Sequence, residues 1–271
     1  MQDKFSQQIM KLEKIRQRKK IVIISIPILI ILLIVLIRIF FIKPAPTCID
    51  GIKNGNEQGI DCGGPCLACG IKYATPIEVV FNKVLKENQN NSQILINIKN
   101  SNAEYGVWFE YTATLYDSFG QELKTISDKN FILPFSNKYL LLQKIPIPAE
   151  KINRVEIKFN YDQKDWLYSN LSTDKLFSIP NKQLRMMTPQ EAGFLELTAQ
   201  IKNNTNKDFS EIEIVIILYS KTGEIINAAK TKTTNLAAYD NKTFSYVWQY
   251  SFPDLNIVDF YHIDIIADAI N

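Results

Sequence analysis

One histidine in 271 residues removes histidine-rich metal centres from consideration and leaves little scope for imidazole catalysis. Ten glycines and eleven prolines are too few for a collagen-like or low-complexity chain. No phosphate-binding loop, dinucleotide fingerprint or Gly-x-Ser-x-Gly elbow occurs. An excess of one charge sign is also missing, since 31 Lys and Arg face 28 Asp and Glu. The balance hides an asymmetry. Residues 1–43 carry nine basic and two acidic groups, which leaves 22 basic and 26 acidic in the rest. A mildly acidic body lacks the basic face of a general nucleic-acid binder, so no nucleic-acid partner is expected, and no cofactor either.

What is present begins with an apolar run. From Ile21 to Ile37 only Ser25 and the ring of Pro27 interrupt it, and after Arg38 it continues through Ile42. Residues 21–42 at about 1.5 Å each span roughly 33 Å, enough for a hydrocarbon core of about 30 Å. A buried soluble helix is the bland alternative. A cleaved signal peptide is the stronger rival, but the run exceeds the usual h-region and no Ala-x-Ala site follows it. The exit reads Lys43-Pro44-Ala45-Pro46-Thr47, and Ala45 and Thr47 do not fit lipidation at Cys48. The run reads as an uncleaved signal anchor. Its first flank holds seven basic residues and its second Lys43 alone, which keeps the N-terminus (residues 1–20) cytoplasmic. Phe5, Ile9, Leu12 and Ile15 recur there at helical spacing, as in a surface-lying helix or one that only extends the membrane span.

All four cysteines, Cys48, Cys62, Cys66 and Cys69, fall in the segment 44–70, and half of the glycines lie between the first and the last of them. A turn-rich knot with almost no apolar core needs covalent or metal staples. Two disulfides, a zinc site and a redox pair all suit four cysteines. Only Cys66 and Cys69 form a Cys-x-x-Cys unit, and an exterior location favours oxidation, so disulfides lead. The pairing is not fixed by spacing. Asp50, Asn54, Asn56, Glu57 and Asp61 offer hard oxygen ligands for Ca²⁺, or simply make turns. The Asp-Gly and Asn-Gly steps, Glu57, then Asp61-Cys62-Gly63-Gly64-Pro65-Cys66 and Cys69 resemble a short module of bacterial cell-envelope and secreted proteins. That resemblance implies a spacer flanking β-sandwich domains.

From residue 70 onward short alternating runs are broken by Asn, Asp, Gly and Pro, the pattern of all-β domains. An offset of 103 lays Ile98-Lys99-Asn100 on Ile201-Lys202-Asn203, Leu115-Tyr116 on Leu218-Tyr219 and Gly120 on Gly223. Parity agrees: Tyr105, Val107, Phe109, Tyr111, Ala113 and Leu115 share one face, as do Ile212, Ile214, Ile216 and Leu218. The predicted strands are 77–85, 93–99, 105–117, 121–126, 138–145 and 153–161, then 183–188, 194–202, 210–219, 224–232, 242–250 and 257–267. The fold class is therefore an all-β ectodomain of two tandem antiparallel β-sandwiches, 71–168 and 180–271, joined by 169–179, on one N-terminal transmembrane helix. Thr114-Leu115-Tyr116-Asp117 with Gly120, and Ile216-Ile217-Leu218-Tyr219 with Gly223, resemble the FxLYD domain, an immunoglobulin-like sandwich of prokaryotic surface proteins. Ala113 and Ile216 stand where that pattern has Phe, and Ser220 where it has Asp. The resemblance implies a fold and no catalytic site.

Chemistry is thin. His262 with Ser245 and Asp264 lacks the turn that a nucleophile needs. Asp162 and Asp165 flank Trp166 and Tyr168, which suits either a carboxylate-based hydrolase or a solvated loop. Trp108 and Tyr116 lie on the polar face of their strand and are the candidate partner-binding residues. Phe244, Tyr246, Trp248 and Tyr250 read as core. Acceptor sequons begin at Asn90, Asn170, Asn203 and Asn241. The expected protein is non-enzymatic and membrane-anchored, meeting a protein or glycan partner outside in adhesion or in assembly of an envelope complex. A carboxylate hydrolase and a partner-dependent sensor are the rivals.

Overall fold

The computed structural model describes residues 2–41, 45–169, 171, 176–188, 190–249 and 255–269. They form two compact units, one up to Leu67 and one from Ala68 onward. In the first, α1 (Gln2–Phe41) is a single unbroken helix, so the basic tail continues the apolar run without a joint. Arg16–Ile39 is long and apolar enough to cross a membrane. Its apolar side chains are exposed within the chain, as a lipid-facing helix requires. Pro27 sits inside α1, and the Ser25 hydroxyl donates to the Val22 carbonyl at 3.2 Å. Ile42, Lys43 and Pro44 lie outside the described residues.

The second unit opens with the short helix α2 (Cys69–Lys72) and continues as strands. Seven make the first sandwich: β1 (Glu78–Lys86), β2 (Ser92–Asn100), β3 (Tyr105–Tyr116), β4 (Glu122–Ile132), β5 (Ser136–Ile145), β6 (Arg154–Asn160) and β7 (Trp166–Tyr168). One sheet has the order β1-β2-β5, the other β4-β3-β6 with β7 also on β3, and every pairing is antiparallel. The core between them joins Ile94, Ile96 and Ile98 of β2 to Val107, Phe109, Tyr111, Ala113 and Leu115 of β3. These are the alternate positions of each strand, as a two-residue period demands.

The second sandwich contains β8 (Phe177–Ser178), β9 (Gln183–Met186), β10 (Leu195–Asn203), β11 (Phe209–Ser220), β12 (Ile225–Leu236), β13 (Asn241–Trp248) and β14 (Val258–Ala269). Its sheets are β13-β10-β8 with β9 also on β10, and β12-β11-β14. Strands β2, β3 and β4 thus find counterparts in β10, β11 and β12 with the same neighbours. Each long central strand also shifts register at the same place, after Leu115 in β3 and after Leu218 in β11. The segment 169–179 is not all connector, because β8 within it pairs with β10 through Ser178 and Phe177. A two-residue strand carries too little pattern to be read ahead of the structure. Asn170 and Ser172 of one sequon, and Tyr250 of the aromatic stripe, fall outside the described residues. Phe244 and Trp248 of that stripe are buried in the core.

A third apolar cluster unites the two sandwiches. Leu85, Leu95 and Leu141 come from the outer face of β1-β2-β5, and Val215, Ile217 and Ala228 from the outer face of β11 and β12. Polar contacts surround it. The Lys138 ammonium pairs with the Asp268 carboxylate, both well shielded from solvent. Lys83 pairs with Glu224 at 2.8 Å, and Asn227 donates from Nδ2 to the Lys86 carbonyl at 3.3 Å while its Oδ1 accepts from the buried Trp248 indole. Apolar area, an internal ion pair and backbone bonds together make one body of two sandwiches rather than beads on a string.

Candidate functional site

Strand β3 sets the site. Its even-numbered side chains leave the first core, and Trp108 is one of them, half-buried against Phe131 of the neighbouring β4 with ring centroids 5.1 Å apart. Gly106 makes this possible. A Cβ there would meet the Phe131 ring at 2.5 Å and the Ile132 carbonyl at 2.8 Å, so any larger residue would push Phe131 off the strand.

The indole forms the wall between two hollows. On one side is a cleft of about 410 Å³ where the sandwiches meet. Trp108, Phe131, Leu167 and Tyr168 line it from the first sandwich, and Leu176, Phe209 and Ala269 from the second. Its charged groups are largely matched internally: Lys138 with Asp268, and Lys230 with Glu213 at 3.3 Å. Asp128, Lys129, Asn130 and Ser169 also line it, so the cleft mixes an apolar wall with polar groups, and its volume lies within the range of ligand sites. On the other side is a polar basin of about 240 Å³, lined by Glu110, Lys129, Asn160, Tyr161, Asp162, Lys164 and Asp165. The Tyr161 hydroxyl accepts from the Ile77 N–H at 3.0 Å, and its ring meets Trp166 edge-on at 5.7 Å, which fixes the basin floor.

One route of binding is closed here. Among the described residues β4 is an edge strand, yet its Lys129 and Phe131 N–H groups donate to the side chains of Asp128 and Asn130, each at 2.8 Å. Those donors are not free to pair with an added strand.

The other sequence candidates separate. Tyr116 is half-buried beneath Arg154, whose guanidinium lies 4.2 Å from the ring centre, and it lines neither hollow. Asp162 and Asp165 belong to one tight 3₁₀ turn, where the Asp165 carboxylate accepts from the Asp162 N–H at 2.6 Å. Trp166 is buried, so the aromatic surface beside these carboxylates is Trp108 instead. His262 stacks on Tyr219 at 4.1 Å and Asp264 accepts from the Tyr219 hydroxyl at 2.8 Å, while Ser245 belongs to a strand of the other sheet. Burial, then the adjacent Asp264, raises the Tyr219 phenol above its ordinary range. This cluster serves the docking face of the sandwiches, a role that parity alone did not show.

The carboxylates at 50–61 bond to nearby N–H groups, while Asn54 Oδ1 is buried without a hydrogen-bond partner among the described residues. Asp50 accepts from the N–H groups of Thr47 and Ile52 and from the Asn54 amide, and those bonds, the amide first, lower its pKa. Asp61 accepts from the Gly51 N–H, and the buried Glu57 from the N–H groups of Asn54 and Asp61. Asn56 adopts φ +68°, a turn conformation, and Gly64 approaches its carbonyl so closely that a Cβ would stand 2.3 Å away. All four cysteines are disulfide-bonded, with Cys48 joined to Cys66. The donor atoms of Cys48, Glu57 and Cys66 gather within 4.8 Å, but these two sulfurs are bound to each other rather than available as thiolates.

No family model matches the chain, and no curated protein does. Among solved structures a red sea bream transglutaminase is similar over 65% of this chain at 9% identity with a TM-score of 0.24, and the chain spans 27% of that structure. A likeness that low carries no argument about either fold or activity.

Proposed function

We propose that this is a single-pass membrane protein whose N-terminus is cytoplasmic and whose two sandwiches act outside as a non-enzymatic binding body. Its role is adhesion or the assembly of an envelope complex, with a protein or glycan partner. The carrying observation is the cleft walled by Trp108, to which both sandwiches contribute. The disulfides support an exterior location, since such bonds persist in oxidising compartments. The excess of Lys and Arg before the apolar helix supports the orientation. The bacterial envelope module and the FxLYD-like sandwich fit the same reading as resemblances.

Capture by cross-linking from the native membrane tests it. Trp108→Ala in the full chain should lose partner capture at least tenfold, since an aromatic anchor at an interface often contributes about 2 kcal/mol or more. Unchanged capture by a folded Trp108→Ala protein would remove the cleft from the site. Protease added outside spheroplasts should reach 71–271 and spare a tag at the first residue; the reverse pattern would overturn the orientation.

A further inference from the structure

We propose that the polar basin beside Trp108 is a saccharide subsite that takes one ring of a neutral glycan; this rests on reading the Trp108 face as the binding face.

The composition of the basin decides the ligand class. A sugar ring presents an apolar C–H face and a rim of hydroxyls that both donate and accept. Its site therefore needs an aromatic plane edged by mixed polar groups. Trp108 supplies the plane, and its carbon surface is backed by Phe131, so it keeps its orientation. Around it stand acceptors Glu110, Asp162 and Asp165, donors Lys129 and Lys164, and the Asn160 amide, which does both. Three carboxylates against two ammonium groups leave almost no net charge to attract an ionic ligand. Glu110 with Lys129 and Asp162 with Lys164 stand 3.5 Å apart, which holds these groups around the rim while leaving their remaining lone pairs and protons outward.

Other occupants fit less well. The basin is too polar for an aliphatic side chain, which has the neighbouring cleft available instead. At about 240 Å³ it lies below the range of about 300–1,000 Å³ for sites enclosing drug-sized ligands, which suits a single ring of a longer chain running onward along the surface. Asp162 and Asp165 share one turn and one of them caps the other, an arrangement that holds hydroxyls rather than placing two carboxylates on opposite sides of a glycosidic bond.

The test uses the full chain in detergent with three probes: cellotetraose, maltotetraose and chitotetraose. At least one should bind with a millimolar Kd or better by calorimetry and shift the tryptophan emission. Trp108 is the reporter, because Trp166 and Trp248 are buried. Trp108→Ala should weaken binding at least tenfold, and Trp108→Phe should restore most of it. Asn160→Ala, which trims an exposed side chain at the end of β6 and keeps its backbone, should weaken binding several-fold with an unchanged melting temperature. If none of the three tetraoses binds, or if binding survives both Trp108→Ala and Asn160→Ala, the subsite is refuted. That result leaves the binding-body reading intact wherever partner capture still depends on Trp108. Cleavage of a bound tetraose into shorter products would overturn both readings in favour of a hydrolase.

Discussion

Asn100 and Asn203 stand 103 residues apart and make the same four hydrogen bonds in their respective sandwiches. Both are fully buried at the end of a central strand, β2 or β10. Asn100 donates from Nδ2 to the carbonyls of Tyr105 and Leu133 and accepts at Oδ1 from the N–H and the side-chain amide of Asn102. Asn203 donates to the carbonyls of Lys207 and Ala237 and accepts from the N–H and hydroxyl of Thr205. Each ties a strand end to two neighbouring segments and shares their carbonyls with other donors: Ser136 Oγ on Leu133, the Asp240 N–H on Ala237 and Thr205 Oγ1 on Lys207.

Replacing Asn203 with Ala removes all four bonds, so the Thr205 N–H loses its acceptor and the Lys207 and Ala237 carbonyls each lose their amide donor in partly buried surroundings. At about 1–3 kcal/mol for each group that water cannot reach, Asn203→Ala should cost roughly 2–4 kcal/mol. Calorimetry should show a fall of about 5–15 °C for a body of this size. An unchanged Tm would mean that water replaces the amide. The same burial predicts that Asn203 is never glycosylated in the folded chain, although it begins a sequon.

Lys138 and Asp268 give the second prediction. They come from different sandwiches and are each largely enclosed. Lys138→Met leaves a carboxylate without its partner and should cost about 3–5 kcal/mol, whereas Lys138→Met with Asp268→Leu should recover most of that. Chemical denaturation of the three proteins checks it. Additive losses in the double variant would show that the pair is not coupled.

The third prediction concerns pH. The Arg185 guanidinium, helped by the N–H and hydroxyl of Thr188, lowers the Glu191 carboxyl from 4.5 to about 2. A depressed folded value means that the contribution is complete above about 4.5 and fades as pH falls toward 2. NMR titration of the Glu191 side chain should find a midpoint near 2. Arg185→Gln should bring it back toward 4.5, and a midpoint near 4.5 in the unaltered chain would exclude the pairing.

The cysteines give the fourth. Alkylation before reduction should add nothing to the mass, and alkylation afterwards should add four adducts. The Cys48–Cys66 bond closes a loop of 18 residues, and the chain-entropy model assigns it about 3 kcal/mol. Its loss should be local. Amide protection should disappear within 45–67, while Asn100 and Asn203 keep their sandwiches protected.

The long strands of both sandwiches are legible because alternation is a strong signal wherever one face meets a core and the other meets water, whereas the short β7 and β8 match no predicted strand. Ile212, Ile214, Ile216 and Leu218 obey the alternation. The docking of the sandwiches was written in the places where alternation fails. Ile94-Leu95-Ile96, Leu140-Leu141-Leu142 and Ile214 to Leu218 are continuous apolar runs, and their odd-numbered members Leu95, Leu141, Val215 and Ile217 form the cluster between sandwiches. A strand apolar on both faces is buried on both. Parity places Trp108 off the core face. It does not reveal the neighbours of Trp108 in the cleft, because Phe209, Leu176 and Ala269 reach the cleft only through that docking, which no local pattern encodes.

Asp128 and Asn130 do more than occupy two donors of β4. On the single-pass reading proposed above, a chain anchored at one end would share a two-dimensional sheet with its copies, where strand edges meet repeatedly. An exposed edge under such crowding would template growth from one molecule to the next. By turning their own side chains onto the following N–H groups, these residues leave an arriving strand only carbonyls to pair with along that stretch. A ladder missing those donors disfavours growth from one molecule to the next through β4, the strand paired with Trp108.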